Sequence, residues 1–499
     1  MRDLMVRYGV VAHIVGLAAF LAWVYGGTRL ELLTAVPWLS LGVLEMTWLC
    51  PALRKGETLP AARRRVTHNL VRDPLLYLAL CFGLYLLVQG LNGGRALVLD
   101  AAGGGWSLAS SPLGWGPSCV DRADVPQAMF LVLPAWAVVL GIRHGVTRRG
   151  KLVLLRLLVA NGALLGLVGV VQFLCGTDRI LGLRPATEPF FASFPYTNHA
   201  GAYFVLLSAL SLGLFVQAWL DEVDRRLAIW LGVALAGNLA AAICSLSRAA
   251  IVWALLLMLL GGLYAIRHAW HLVSSDMRFK AVTVFLLVWL LGGAFWLLVP
   301  RNNPVVQEIR AIPWSTLGQE TLGARAPQVA FAWQLWREHP WFGVGCGGFR
   351  HYAALQVEGS VRATWHRGGE QVHHDGVQVL AEYGLVGGGL LLAAVVALMA
   401  PVIRRLRIAH VTFAGEWSGE PWLLFRVSPV TVLLLAGVAL TCLTSLIDLP
   451  FRSPAILATW CVALACAPAF LPAKENRTSP ATLPSVAGAR KPVAPDAVP

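Results

Sequence analysis

The sequence predicts an all-α polytopic membrane protein with about twelve transmembrane helices and one long, partly helical outward loop. Three observations carry that reading. Of 499 residues, 57% are apolar and only 13% are charged; the mean hydropathy is +0.66; and apolar runs of roughly 20 residues, the length that crosses a bilayer's hydrocarbon, recur along the chain. Soluble domains carry less apolar and more charged sequence.

In chain order the runs lie near 9–26, 32–50, 74–91, 126–142, 152–175, 199–219, 227–244, 249–266, 281–300, 379–402, 427–447 and 454–471. The first follows Arg2 and Arg7, lacks a small-residue cleavage site and leads straight into the second, so it reads as an anchor and not a signal peptide. Basic residues fall in alternate loops: Arg54, Lys55, Arg63, Arg64, Arg65 and Arg72 after the second run, Arg143, Arg148, Arg149 and Lys151 after the fourth, and Arg404, Arg405 and Arg407 after the tenth. With Arg225, Arg226, Arg267, Arg278 and Lys280 they mark one side as cytoplasmic and put both termini there. The outward segments are then 92–125, 176–198, a turn at 245–248, the long loop 301–378 and a turn at 448–453. The chain thus divides into helices one to nine (1–300), the loop (301–378), helices ten to twelve (379–472) and a Pro-, Ala- and Ser-rich tail (473–499), expected to be disordered in the cytoplasm.

The net charge of +14 follows from this topology, and nucleic acid is not expected as a partner despite a pI near 9.8. Most of the nine cysteines fall within or beside apolar runs and behave as small apolar residues, with no CxxC pair to hold a metal. Cys119 and Cys346 lie in outward loops, where a disulfide or two free thiols are both open.

Within the long loop, Arg325 to His339 reads as a helix: Val329, Ala332, Trp333 and Trp336 recur at helical spacing, Pro327 fits a first turn and Pro340 stops the element. The two indoles suit the headgroup region, which places Arg325, at the helix start, near lipid phosphates. The following Gly343-Val344-Gly345-Cys346-Gly347-Gly348 satisfies the G-x-G-x-x-G pattern, but no strand precedes it and no βαβ unit surrounds it, so tight turning and close backbone packing are expected instead of a dinucleotide. The loop's seven arginines and absence of lysine fit phosphate binding. Only five lysines exist in the whole chain, so the count decides nothing.

Arg248, in Cys244-Ser245-Leu246-Ser247-Arg248, sits in a short turn between two runs just long enough to span, where it either snorkels or meets a phosphate, with Ser247 available as an N-cap. His373, His374 and Asp375 precede the tenth run. A helix N-terminus there favours a neutral imidazole able to accept a proton, while Asp375 suits the helix dipole. Asn198 and His199, among aromatics before the sixth run, could bind sugar hydroxyls; Asn198 could equally cap that helix.

Taken together, Tyr196-Thr197-Asn198-His199-Ala200-Gly201, Ser247-Arg248-Ala249, the run from Arg325 through His339-Pro340-Trp341-Phe342-Gly343-Val344-Gly345, His373 through Gly387, and Ser445 through Ala455 resemble the O-antigen ligase and polymerase superfamily of bacterial integral-membrane glycosyltransferases. The resemblance spans about 150 to 470. It implies a bundle of about a dozen helices with one long periplasmic loop in the inner (cytoplasmic) membrane. It also implies transfer of a glycan from undecaprenyl pyrophosphate to an acceptor hydroxyl on lipid A core or another glycan. Carried over, it points to Arg248, Arg325 and His373 as catalytic, with Asn198, His199, His374 and Asp375 binding substrate. His374 stands where asparagine is usual and Gly376 where a bulky residue is usual, departures that blur which histidine acts; the motif favours His373.

The expected reaction is an inverting, metal-independent and cofactor-free transfer in which two arginines stabilise the leaving pyrophosphate and a histidine accepts the hydroxyl proton. A polymerase of the same superfamily is the alternative reading. A lipid-linked-sugar flippase or polysaccharide exporter is a weaker one, since it would place polar groups along span interiors instead of at their outer ends.

Overall fold

The computed structural model describes residues 2–28, 34–54, 56–99, 106–186, 188–221, 225–272, 304–310, 317–356, 371–414 and 427–471. Helices occupy every predicted apolar stretch except 281–300, which lies outside the described residues, as do Arg278, Lys280, Arg301, Arg362, Arg367 and the tail. They are α1 (Arg2–Trp23), α2 (Val36–Leu49), α3 (Leu59–Val71), α4 (Pro74–Leu91), α5 (Asp124–Gly145), α6 (Arg148–Cys175), α7 (Thr197–Leu220), α8 (Arg225–Cys244), α9 (Arg248–Leu272), α10 (Pro304–Arg310), α11 (Leu317–Glu338), α12 (Gly348–Gln356), α13 (Asp375–Ala414), α14 (Pro429–Thr444) and α15 (Pro454–Cys466). Six carry segments long and apolar enough to cross a membrane: α4, α5, α6, α7 over Thr197–Trp219, α8, and α13 over Asp375–Ile408. The apolar segments Tyr8–Trp23, Arg248–Tyr264, Pro429–Thr444 and Pro454–Phe470 are shorter.

Sequence sets the helix ends. Asp73 caps α4 through Leu75 N at 3.1 Å with Pro74 in the first turn, and Thr147 caps α6 through Gly150 N at 3.0 Å. Two short antiparallel hairpins, β1 (Leu97–Leu99) with β2 (Trp106–Leu108) and β3 (Arg179–Ile180) with β4 (Arg184–Pro185), depart from the all-α expectation. Both sit in segments between apolar runs, too short for any periodicity to register.

The bundle is built around α7, whose apolar window is 94% buried, with α6, α8, α9 and α14 packed about it. Small residues let the backbones close in: a Cβ on Gly201 would lie 2.6 Å from Ala250 Cβ and 2.7 Å from Ser247 Cβ, so the turn before α9 rests on the first turns of α7. That contact brings Arg248 to the end of the bundle that carries Asn198 and His199.

At Gly384 (φ 61°, ψ −164°) the helix α13 is broken, and the segment after α11 fills the break. The N–H groups of Leu385 and Val386 donate to the carbonyls of Pro340 (2.8 Å) and Trp341 (3.0 Å), while those of Val344 and Gly345 donate to the carbonyls of Ala381 (2.8 Å) and Glu382 (2.9 Å). Backbone groups on both sides of the break are thereby re-paired within the protein, as a low-dielectric setting favours. The glycines of the G-x-G-x-x-G stretch serve this seam: a Cβ on Gly343 would fall 2.5 Å from Ala381 O, and one on Gly345 would fall 2.2 Å from Ser118 O. Tyr85 adds a hydroxyl shared between the carbonyls of Phe342 (2.9 Å) and Tyr383 (2.8 Å).

Two expectations for the long loop are corrected. Its helix starts at Leu317 and not at Arg325, so Arg325 and Pro327 lie inside it; Gln319, Glu320, Leu322 and Ala324 favour helix, and Pro327 removes only one backbone donor. The buried stripe is Gln328, Phe331, Ala332 and Leu335, which pack on Val344, Phe349 and Ala381, whereas Trp333 is exposed. Cys119 and Cys346 are both fully buried in one cluster with Phe82, Tyr85 and Leu86, and all nine cysteines are free thiols. The cluster forms with no disulfide bridge.

Candidate functional site

The turn between α14 and α15 carries a carboxylate, Asp448, in the otherwise apolar run Leu446-Ile447-Asp448-Leu449-Pro450-Phe451. It is buried, and a buried carboxylate survives only when its lone pairs are met. Tyr196 donates its hydroxyl to Oδ2 at 2.9 Å, Asn198 donates Nδ2 to the same oxygen at 2.6 Å, and Leu449 donates its N–H to Oδ1 at 2.9 Å. His373 Nδ1 lies 3.3 Å from Oδ1, and an Arg325 guanidinium nitrogen lies 3.5 Å from Oδ2 as an ion pair. Burial opposes ionisation of Asp448, yet the His373 hydrogen bond and the nearby positive charge of Arg325 hold its pKa at about 2. The same burial, with Asp448 alongside, pushes the Tyr196 phenol up, so its hydroxyl remains a donor.

Residues distant in sequence meet here because the ends of three helices gather beside the middle of a fourth. Asn198 and His199 stand in the first turn of α7, Arg325 comes from α11, His373 precedes α13, and Asp448 follows α14. Asn198 does not cap α7; its amide is spent on Asp448 and, at 2.7 Å, on the Tyr196 oxygen. His199 Nε2 bonds the Leu449 carbonyl at 2.9 Å. His373 sits at φ 55°, a left-handed conformation that is costly for a non-glycine residue, and it is held there against Asp448.

The other predicted residues flank this cluster. His374 Nδ1 accepts the Val377 N–H at 3.3 Å, a capping role that needs an unprotonated ring nitrogen, and burial lowers its pKa in the direction that keeps it so. Asp375 N–H donates to the Ser445 carbonyl at 3.0 Å while its carboxylate accepts the Phe451 N–H at 3.2 Å, clipping the start of α13 to the α14–α15 turn. Arg248 opens α9 as an exposed residue, beside Ser247 and Ala250, which pack against Gly201 near the start of α7. Its helix reaches the same turn where the Trp253 indole donates to Thr444 at 3.1 Å.

Sequence reasoning missed Asp448, Tyr196 and a buried ion pair between Arg452 and Glu382, in which Gln378 also donates to Glu382 at 2.9 Å. A signal for Asp448 was present: an acid in a run of Leu, Ile, Pro and Phe between two apolar helices requires a partner. Among the described residues, Asp121, Asp124 and His351 offer ligand atoms within 4.8 Å of one another. Both oxygens of Asp124 are already engaged, one by the Arg350 guanidinium and the other by His351 Nε2 at 3.0 Å.

These features define a class: a helical protein with membrane-crossing segments and a histidine–arginine–carboxylate cluster at one end of its bundle. Residues 231–392, from α8 into α13, match a family model described as O-antigen ligase, which places this stretch in the O-antigen ligase and polymerase superfamily. Arg248, Arg325, His373, His374 and Asp375 fall inside the matched region, while Asn198, His199 and Asp448 fall outside it. No curated protein matches the chain.

Proposed function

We propose that the chain is an inverting O-antigen-ligase-type glycosyltransferase that moves a glycan from undecaprenyl pyrophosphate to an acceptor hydroxyl on the periplasmic face of the inner membrane. The observation that carries this reading is the convergence of His373, Arg325, Asn198 and Tyr196 on the single carboxylate of Asp448. The acceptor oxygen attacks the anomeric carbon as the bond to pyrophosphate breaks. Because Asp448 takes the Nδ1 edge of His373, Nε2 is the nitrogen that receives the hydroxyl proton, and the imidazolium so formed faces an ionised partner. The departing pyrophosphate is met by Arg325 and Arg248, whose planar guanidinium groups suit phosphate oxygens and supply the charge a metal would otherwise provide. Asn198, His199, His374 and Asp375 border the space for sugar, and the prenyl chain stays in lipid.

The test is a strain deleted for the gene and analysed for surface polysaccharide. Full-length polymer held on its lipid carrier is expected; single lipid-linked repeat units would instead mark a polymerase acting on a growing glycan. Complementation with the double variant Arg248→Ala/Arg325→Ala should restore no transfer while the protein still inserts in the membrane. Full restoration by that variant sinks the proposal.

A further inference from the structure

A second polar assembly lies at the opposite end of the bundle. Helices α4, α5, α13 and α15 each have one end near the Asp448 turn or the segment 346–350, and each runs from there to a cavity of about 450 Å³. For α4, with 18 residues, the run is about 27 Å. The cavity is walled by Pro74, Leu398, Pro401 and Leu464 and carries Arg72, Arg143, His144 and Lys151 with one carboxylate, Asp73. That carboxylate is fully engaged: Arg143 Nε lies 2.7 Å and His144 Nε2 2.9 Å from its Oδ2. Among the described residues, Arg72 has no polar partner, and the Lys151 ammonium has only the Ala465 carbonyl at 3.4 Å for its three donors. Arg405, which bonds the Pro468 carbonyl at 2.8 Å, adds a further positive charge close to Lys151. Gathering like charges at the mouth of apolar helices is unfavourable unless an anion offsets them. Basic pockets between membrane helices characteristically take phosphate-bearing lipid headgroups.

We propose that this cavity binds the phosphate of an anionic phospholipid headgroup, held by Arg72, Arg143 and Lys151, with the first carbons of the lipid against Pro74, Leu398 and Leu464. The site is separate from the transfer chemistry and does not depend on it.

The experiment uses the full chain purified in detergent, titrated with phosphatidylglycerol or phosphatidylcholine and read by native mass spectrometry. Wild type should bind phosphatidylglycerol well above phosphatidylcholine. The double variant Arg72→Ala/Lys151→Ala should bind it roughly 25-fold more weakly, about fivefold for each basic group removed. The charge-conserving Arg72→Lys/Lys151→Arg should recover most of the affinity, which separates loss of charge from loss of fold. Equal binding of the two lipids, or unchanged binding by the alanine variant, overturns the proposal. Displacement of phosphatidylglycerol by low-millimolar inorganic phosphate overturns the lipid as the source and assigns the cavity to free phosphate.

Discussion

Asp448 holds four side chains, and its charge rather than its shape makes that possible. Asp448→Asn preserves size but leaves Arg325 without an anion and His373 without an ionised partner. Transfer is expected to fall by about 10²-fold or more, with membrane levels unchanged, in an assay of lipid-linked donor consumption; near-normal turnover would remove Asp448 from the mechanism. The pH dependence has a defined sign. A depressed carboxylate contributes its full stability above the ordinary value of 3.8 and loses it as pH falls through about 2. The thermal-stability difference between wild type and Asp448→Asn should therefore stay level from neutral pH to about 4, then close toward about 2. His373 and Arg325 were legible in the sequence because each belongs to a local motif. Asp448 lies in a resembling stretch, Ser445 through Ala455, that names no role for it, and its side-chain partners lie 75 residues or more away, so only the packing of α7, α11, α13 and α14 reveals what it does.

At the scale of elements, the break in α13 governs how the site is mounted. His373 and Asp375 stand before the break and the membrane-length run of apolar residues follows it, so the seam with Pro340 to Gly345 fixes one relative to the other. Gly345→Ala would put a Cβ 2.5 Å from Cys119 Cα at φ 93°, and Gly384→Ala would put one 2.4 Å from the Trp341 carbonyl carbon at φ 61°. Each is expected to destabilise the fold by about 2 kcal/mol or more. Gly389→Ala, where a Cβ meets nothing within 4 Å, should be neutral or slightly stabilising. Equal thermal shifts for the three variants in detergent would contradict the seam. The sequence marked Gly343 and Gly345 as a tight turn but could not say against what, because the opposing backbone comes from a helix whose apolar pattern conceals its own interruption at Gly384. The start of α11 was misplaced for a related reason: Pro327 looks like a helix opening when read locally, and tertiary packing carries the helix through it.

On the scale of the whole molecule, the arginine-rich loops and the Asp448 cluster occupy opposite ends of the same helices, the arrangement that the distribution of basic residues predicts. Single cysteines report which end faces out. In a background lacking the nine native cysteines, Leu183→Cys, in the exposed β3–β4 turn, should react with an impermeant thiol reagent applied from the periplasm. Arg149→Cys should react only after the inner membrane is opened. The reverse pattern would turn the molecule over and place the cluster away from any outward donor. Hydropathy made the succession of helices legible without a structure, since apolar length is a property of each segment alone. Which helix lies at the centre was not legible: α7 is no more apolar than its neighbours, and its small residues matter only once their partners are known.

The seam across α13 has a bearing on variation. It is joined by four amide-to-carbonyl bonds, with the Tyr85 hydroxyl and the Gln89 amide, which accepts the Cys346 N–H, as side-chain supports. The exposed Trp341 can therefore change identity without loosening the joint, provided Gly343, Gly345 and Gly384 are kept, whereas the buried Val344 and the Phe342 ring stacked on Tyr85 are held by packing. On the proposed reading, exchanging exposed loop side chains such as Trp341 would retune the acceptor while the backbone joint stays constant.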